Sequence, residues 1–287
     1  TPFTFSATPS AILHAGHQPV FADVDPETFC LTDAWRGTNR LPVDLFGRIV
    51  SASGFLIEDA CQAVGAARHG GYAGGFGQVG VYSFNGQKNV PAGEAGMAVT
   101  DYGDFAQRLR QFVSHGENWS HEDVGMNGRV NEVTACIAYH GLLAVKARNA
   151  HRRRLALELW RRLKDEARVR VLTPQEIEGH ALYCYPLLVQ QGIDRTIFVR
   201  RLKYLGIEAT EGYIRPILSH YPAFKNAARI PLPVAEELSN STLVLLLQVR
   251  PPATILHMRY LATAIKAALD GGKGKRTSIG KVDPTAF

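Results

Sequence analysis

An acid and a lysine lie on either side of a glycine-rich interval in this sequence. Asp59 follows the apolar run Phe55–Ile57, and Lys88 comes four residues after the end of a second run, Val79–Phe84. Short apolar runs bounded by turn residues are typical of buried strands. Open α/β sheets bind ligands beyond the carboxyl ends of their strands, so Asp59 and Lys88 can converge on one cavity.

A carboxylate and an amine at one cavity indicate cofactor chemistry. A lysine amine condenses with an aldehyde, and an acid facing a pyridine nitrogen keeps that nitrogen protonated. Pyridoxal 5'-phosphate (PLP), an electron sink, needs both groups. Asp59 and Lys88 therefore predict a PLP site. The ordinary alternative is that Asp59 closes a turn, a common role for aspartate, and that Lys88 is a loop lysine without a catalytic role.

Six segments resemble, in the same order, the motifs of the DegT/DnrJ/StrS family of PLP-dependent sugar aminotransferases. They are TFSAT (Thr4–Thr8), PVFADVDPETF (Pro19–Phe29), IEDACQAVGA (Ile57–Ala66), FGQVGVYSFNGQKN (Phe76–Asn89), GEAGMAVT (Gly93–Thr100) and VGMNGRVNEVTA (Val124–Ala135). The resemblance implies an α/β fold of the aspartate aminotransferase type, fold type I. It implies a PLP-binding large domain with a mostly parallel sheet, residues 1–150, and a small α+β C-terminal domain, residues 151–287.

The resemblance also implies roles for five residues in this region. Lys88 carries PLP as an internal aldimine, and Asp59 faces the pyridine nitrogen. Gln62 lies beside the ring hydroxyl of the cofactor, Ser83 contacts its phosphate, and Phe5 stacks on its ring. Each has a structural alternative: a surface amide for Gln62, a strand-end hydroxyl for Ser83 and a core aromatic for Phe5.

A sixth residue, Asn127, bears on how copies of the chain associate. Asn127 resembles the asparagine that reaches the cofactor phosphate of the neighbouring subunit, and Arg129 resembles the arginine that orders the same loop. The resemblance therefore implies a homodimer with shared active sites. Trp119 in this loop suits an interface core. The alternative is an exposed loop around a self-sufficient monomer site.

The implied reaction converts a nucleotide-linked keto sugar to an amino sugar, with glutamate or glutamine as donor. One alternative is a PLP-dependent sugar dehydratase or deoxygenase, but related enzymes of that type have histidine in place of Lys88. Another is a degenerate, non-catalytic family member or a fragment. Three departures from the family favour it: no phosphate-binding turn precedes Thr1, only eight residues separate Gly47 from Leu56 where a crossover helix is expected, and Ala95 replaces a glycine.

Composition and residue patterns narrow the possible ligands, partners and cellular locations. The net charge of +6 suits an anionic ligand or nucleic acid, but the basic clusters lack the interleaved aromatics of a nucleic-acid module. His115 and His121 fit no helical metal-ligand pair, so no metal site is predicted. The four cysteines form no CxxC pattern, and neither a membrane span nor a basic-apolar leader is apparent. A cytoplasmic protein without membrane or nucleic-acid partners is the expectation.

Overall fold

The computed structural model describes residues 1–32, 39–51, 54–117, 124–211, 215–247 and 249–271. Its helices, α1 to α7 in chain order, are Ala7–His14, Gly103–Val113, Glu132–Leu163, Pro174–Ile177, Arg195–Tyr204, Pro233–Glu237 and Ile255–Leu269. Its strands, β1 to β11, are Val20–Phe21, Ile57–Asp59, Ala67–Arg68, Gly71–Tyr72, Val79–Ser83, Gly96–Val99, Val169–Arg170, Tyr185–Val189, Ala209–Thr210, Ala228–Arg229 and Leu243–Leu246. This order is mixed α/β, as predicted.

The strand that ends at Asp59 lies inside a mixed sheet. β2 pairs in parallel with β5, and β5 pairs antiparallel with β6. On the other side of β2, Val43 forms a parallel bridge to Asp59, whose N–H donates to the carbonyl of Pro42 at 3.0 Å. The carboxyl ends of β2 and β5 therefore lie at the same edge of the sheet. The two apolar runs in the sequence predicted this arrangement.

The adjacent acids of β2 have different surroundings, because successive side chains of a strand point to opposite faces. Glu58 is fully buried. Its carboxylate accepts three backbone N–H bonds, from Gly74 at 2.8 Å, Phe76 at 2.8 Å and Gly77 at 3.1 Å. The glycine-rich interval therefore folds around Glu58, while Asp59 is left for the other face.

A second sheet lies in the C-terminal half. It is antiparallel, with strand order β7-β8-β11-β9. Its core is a cluster of buried side chains between Leu155 and Ala268, contributed by this sheet and by α3, α5 and α7. This is the predicted α+β arrangement. The domain boundary near residue 150 stays a prediction, and it would fall inside α3.

Helix α3 is continuous over Glu132–Leu163. Asn131 caps it, because its side chain accepts a backbone N–H of the first turn at 2.9 Å. Glycine is unfavourable in helix interiors, and a basic cluster lies near His151, but the helix is divided at neither place. A Cβ on Gly141 would lie 2.7 Å from the side chain of Val90, so this glycine allows close packing without ending the helix.

The short connection before β2 is not helical at residues 48–51 and 54–56. It is held instead by the segment before β8, because the N–H of Ala181 donates to Gly47 and the N–H of Tyr183 donates to Phe46. Residues 272–287 lie outside the described residues. None of the helices in the described ranges combines the length and apolar character that crossing a membrane requires.

Candidate active site

Lys88 lies in the loop that follows β5. Its backbone N–H donates to the carbonyl of Asn85 at 2.9 Å, which fixes the turn. The next residue, Asn89, is buried and donates its side-chain amide to the carbonyl of Ala181 at 2.8 Å. The Lys88 ammonium group lies 4.9 Å from the centroid of the Tyr183 ring. The lysine is thus held between the first sheet and the segment leading into β8.

The surroundings of Lys88 change its acidity. Burial lowers the pKa of its amine, and the Asp59 carboxylate opposes part of that change. Burial also raises the pKa of the neighbouring thiols Cys61 and Cys184, so both are neutral near pH 7. Asp59 is the carboxylate among these neighbours of Lys88. A lowered amine pKa increases the fraction of Lys88 able to react as a nucleophile or base.

Asp59 is held by hydrogen bonds on both carboxylate oxygens. Thr8 donates its hydroxyl to Oδ2 at 2.7 Å. The backbone N–H of Cys61 donates to Oδ1 at 3.1 Å. The carbonyl oxygen of Asp59 accepts the N–H of Asp44 at 2.9 Å, which ties its backbone to the segment around Val43. The carboxylate therefore has a defined orientation at the edge where Lys88 also lies.

Gln62 and Ser83, two other residues predicted to contact the cofactor, accept hydrogen bonds from backbone N–H groups. Gln62 is only 4% exposed, and its Oε1 accepts the N–H of Phe46 at 2.9 Å. Phe46 has a positive φ of 59°, so this bond supports a strained backbone position. Ser83 ends β5, and its hydroxyl accepts the N–H of Asn85 at 3.3 Å. The cofactor contacts of Gln62 and Ser83 stay predictions.

The two remaining positions lie on exposed segments. Phe5 is 56% exposed and comes just before α1, the helix that contains Thr8. Asn127 forms an antiparallel bridge with Ser114, and its side-chain oxygen accepts a bond from Arg129 at 3.3 Å. The contact between Arg129 and Asn127 agrees with the ordering role expected of Arg129. Stacking by Phe5 and a phosphate contact by Asn127 stay predictions.

A buried acid pair lies behind the site. Asp44 is fully buried, and burial together with the charge of Glu58 raises the pKa of its carboxyl well above the ordinary value. Its Oδ1 accepts the N–H of Val50 at 2.8 Å. Its Oδ2 has no hydrogen-bond donor among the described residues. The raised pKa favours the neutral form of Asp44, in which an O–H group could donate to Glu58.

This pair predicts a pH-dependent stability. The folded protein keeps a proton on Asp44 that the unfolded chain releases above pH 3.8, so the free energy of unfolding falls as pH rises. The loss is about 1.4 kcal/mol per pH unit until the raised pKa is reached. Asp44→Asn should remove this slope, because an amide accepts from Val50 and donates to Glu58. Urea unfolding between pH 4 and 8 measures it, with the exposed Asp165→Asn as control. An unchanged slope in Asp44→Asn would contradict the neutral acid.

Two contacts at this site were not predicted. Thr8 is the second residue of α1, and its hydroxyl bonds to Asp59. Tyr183 carries no motif, and its contact with Lys88 depends on how the two halves of the chain pack. The only sequence signal for Thr8 was its place in TFSAT. Among the described residues, no cluster of His, Cys, Asp or Glu is arranged to hold a metal ion.

The groups at this edge fit PLP. The cofactor needs an amine for its aldehyde, a carboxylate for its ring nitrogen and polar groups for its phosphate. Lys88 supplies a half-buried amine with a lowered pKa, and Asp59 supplies an oriented carboxylate. Ser83 offers a hydroxyl at the end of β5, and Phe5 offers an exposed ring. Lys88 and Asp59 are the chemically necessary pair.

Comparisons with known proteins agree with this chemistry. The profile of the DegT/DnrJ/EryC1/StrS aminotransferase family matches residues 1–35 and 43–254. A UDP-N-acetyl-3-dehydro-α-D-glucosamine 3-aminotransferase of Acidithiobacillus ferrooxidans is 31% identical over 290 residues, covering 94% of this chain and 76% of that protein. A "pleiotropic regulatory protein" of Geobacillus stearothermophilus is 30% identical over 239 residues. That match covers 76% of this chain and only 63% of the relative.

Solved structures have the same fold. The crystal structure of DesI in the presence of its TDP-sugar product has a TM-score of 0.84 and 27% sequence identity to this chain. The match covers 94% of this chain and 74% of DesI. The predicted PLP-dependent transferase fold is confirmed.

Proposed function

Because the chain belongs to the DegT/DnrJ/EryC1/StrS aminotransferase family, we propose that it uses PLP to transfer an amino group to a nucleotide-linked keto sugar. The observation that carries the proposal is the placement of Lys88 and Asp59 at one edge of the sheet: Asp59 ends β2, and Lys88 lies in the loop after β5, the strand paired in parallel with β2. Relatives that act on nucleotide-linked sugars support the substrate class. The chain covers 63–76% of the length of the two relatives described above, so the activity of the whole protein is a proposal.

PLP, when bound, withdraws electrons from the carbon that carries the transferred amine. The residues of this chain then have separate tasks. Lys88 holds the cofactor through its amine, and after release it can move a proton at the substrate carbon, because its lowered pKa favours the neutral form. Asp59 keeps the ring nitrogen protonated, and its two existing hydrogen bonds limit rotation of the carboxylate.

The proposed amino donor is glutamate or glutamine. The test incubates PLP-loaded protein with each donor, labelled isotopically at the transferable nitrogen, and with a panel of UDP- and TDP-linked keto sugars. We expect an amino sugar carrying the label. Ammonia release without an amino sugar would instead support the dehydratase or deoxygenase alternative. No labelled product from any donor and sugar would contradict the proposed reaction.

We also propose a homodimer with shared active sites. The support is an exposed apolar surface around Asn127: the neighbouring Phe112, Val124 and Met126 are 49%, 91% and 53% exposed. Nothing in α2 is buried, and Leu143 on α3 is 66% exposed. Exposed apolar surface concentrated around one loop is typical of an interface, and a second copy of the chain is the partner we propose. Other loop residues expected to contribute, including Trp119 and His121, lie outside the described residues.

Shared sites predict complementation between inactive chains. Asn127→Ala should weaken cofactor retention without unfolding the protein, because Asn127 is exposed. When Lys88→Ala chains exchange with Asn127→Ala chains, one site in each hybrid keeps both residues, so activity should partly return. In the matched control mixture, chains with the substitution Asn226→Ala, at another exposed asparagine, take the place of the Asn127→Ala chains. Mixtures that exchange subunits but stay inactive would refute the shared site.

We propose the cytoplasm as the location of this reaction. The four cysteines are all free thiols in the structure. Unpaired cysteines suit a reducing compartment.

A further inference from the structure

The shortest side-chain contact of Asp59 is with Thr8, which is 51 residues earlier in the chain. The hydroxyl of Thr8 donates to Oδ2 at 2.7 Å. A carboxylate can only accept hydrogen bonds, so the one proton of this hydroxyl is committed to Asp59. The distance is in the range of strong, charge-assisted bonds.

A second threonine supports the first. The hydroxyl oxygens of Thr4 and Thr8 are 3.4 Å apart. Since the Thr8 proton is directed to Asp59, the Thr4 hydroxyl is the donor in this contact. Thr4 is only 1% exposed, so water does not compete strongly for its proton. The hydroxyls thus form a directional chain from Thr4 through Thr8 to the carboxylate.

The backbone limits how Thr8 can move. Thr8 lies in the first turn of α1, and threonine is restricted at χ1 by its branched Cβ. The other carboxylate oxygen is held by the N–H of Cys61. Loss of the Thr8 hydroxyl would therefore leave Asp59 held on one side only. The same short segment also carries Phe5, so it brings an aromatic ring and the partner of the acid to one edge.

We propose that Thr8 is a positioning residue that orients the Asp59 carboxylate toward the ring nitrogen of PLP, with Thr4 as its hydrogen-bond donor. This proposal rests on the proposed function. Thr8 acts through Asp59 and is not itself a catalytic residue. Its contribution should appear in cofactor binding, because a freely rotating carboxylate meets the ring nitrogen in fewer of its conformations.

The test compares Thr8→Val, which keeps the shape and removes the hydroxyl, with Thr8→Ser, which keeps the hydroxyl. PLP affinity is measured by titration of the visible absorbance. Thr8→Val should weaken binding about 10- to 100-fold, the equivalent of one hydrogen bond to a charged group. Thr8→Ser should restore most of the affinity. Thr263→Val is the matched control, because Thr263 donates its hydroxyl to a backbone carbonyl on α7.

A double-mutant cycle separates positioning from general loss of structure. In an Asp59→Asn background, Thr8→Val should cost much less affinity than in the wild-type background, because the charged partner is gone. Equal losses in the two backgrounds, or wild-type affinity in Thr8→Val, would overturn the role of Thr8 while leaving the proposed function intact. A wild-type protein that binds no PLP would overturn both. Urea unfolding of each variant shows whether the fold is retained.

Discussion

Lys88→Ala should abolish the visible absorbance of the PLP-loaded protein and lower kcat by at least about 10³-fold. The substitution removes both the amine that holds the cofactor and the group that moves the proton, and a positioned proton-transfer group alone contributes about 10²–10⁴-fold. Folding should be preserved, because the Lys88 side chain makes a single described ring contact, with Tyr183. Absorbance spectra and turnover with a competent keto sugar measure the effect.

The control for Lys88→Ala is Lys203→Ala, an exposed lysine in the last turn of α5. Its spectrum and turnover should match those of the wild-type protein. A Lys88→Ala protein that kept a bound, visibly absorbing cofactor and normal turnover would show that another lysine has this role.

Asp59→Asn should lower kcat by about 10²–10³-fold while leaving the protein folded. A neutral amide does not keep the ring nitrogen protonated, so electrons from the substrate carbon are accepted less well. The amide oxygen can still accept from Thr8 or Cys61, which limits the structural damage. Steady-state kinetics and urea unfolding together measure the two effects.

Glu58, the acid next to Asp59, should respond differently to substitution. Backbone N–H groups donate to both carboxylate oxygens of Glu58. Glu58→Gln replaces one of these oxygens with an NH₂ group, which cannot accept, so at least one buried N–H loses its acceptor. The expected cost is about 1–3 kcal/mol in the free energy of unfolding, with a smaller direct effect on chemistry. The assignment of the two acids would be reversed if Glu58→Gln lost catalysis at full stability while Asp59→Asn kept it.

Local sequence patterns predicted much of the fold. The apolar runs before Asp59 and Lys88 became neighbouring parallel strands, and Asn131, in the last of the six motifs, caps α3. Such features depend on residues close together in the chain. The close approach of Val90 to Gly141 in α3 could not be predicted, because the two residues are far apart in the chain.

The site residues also fall into two groups: those that local sequence predicts and those that depend on tertiary packing. Lys88 and Asp59 were predicted because each follows a strand and lies in a motif. The hydroxyl of Thr8 and the ring of Tyr183 were not, because they reach the site only through tertiary packing. For Gln62, the fold adds a contact that the motif does not predict, because its carbonyl oxygen accepts the backbone N–H of Phe46; the predicted cofactor contact stays a prediction.

The central claim is that Lys88 is the residue to which PLP becomes attached. The most direct measurement saturates the wild-type protein with PLP, reduces it with borohydride and locates the added mass by peptide mapping. The predicted result is a single modified lysine, Lys88, with little labelling in Asp59→Asn under sub-saturating PLP. A modification on another lysine, or no stable modification at saturation, would contradict the account.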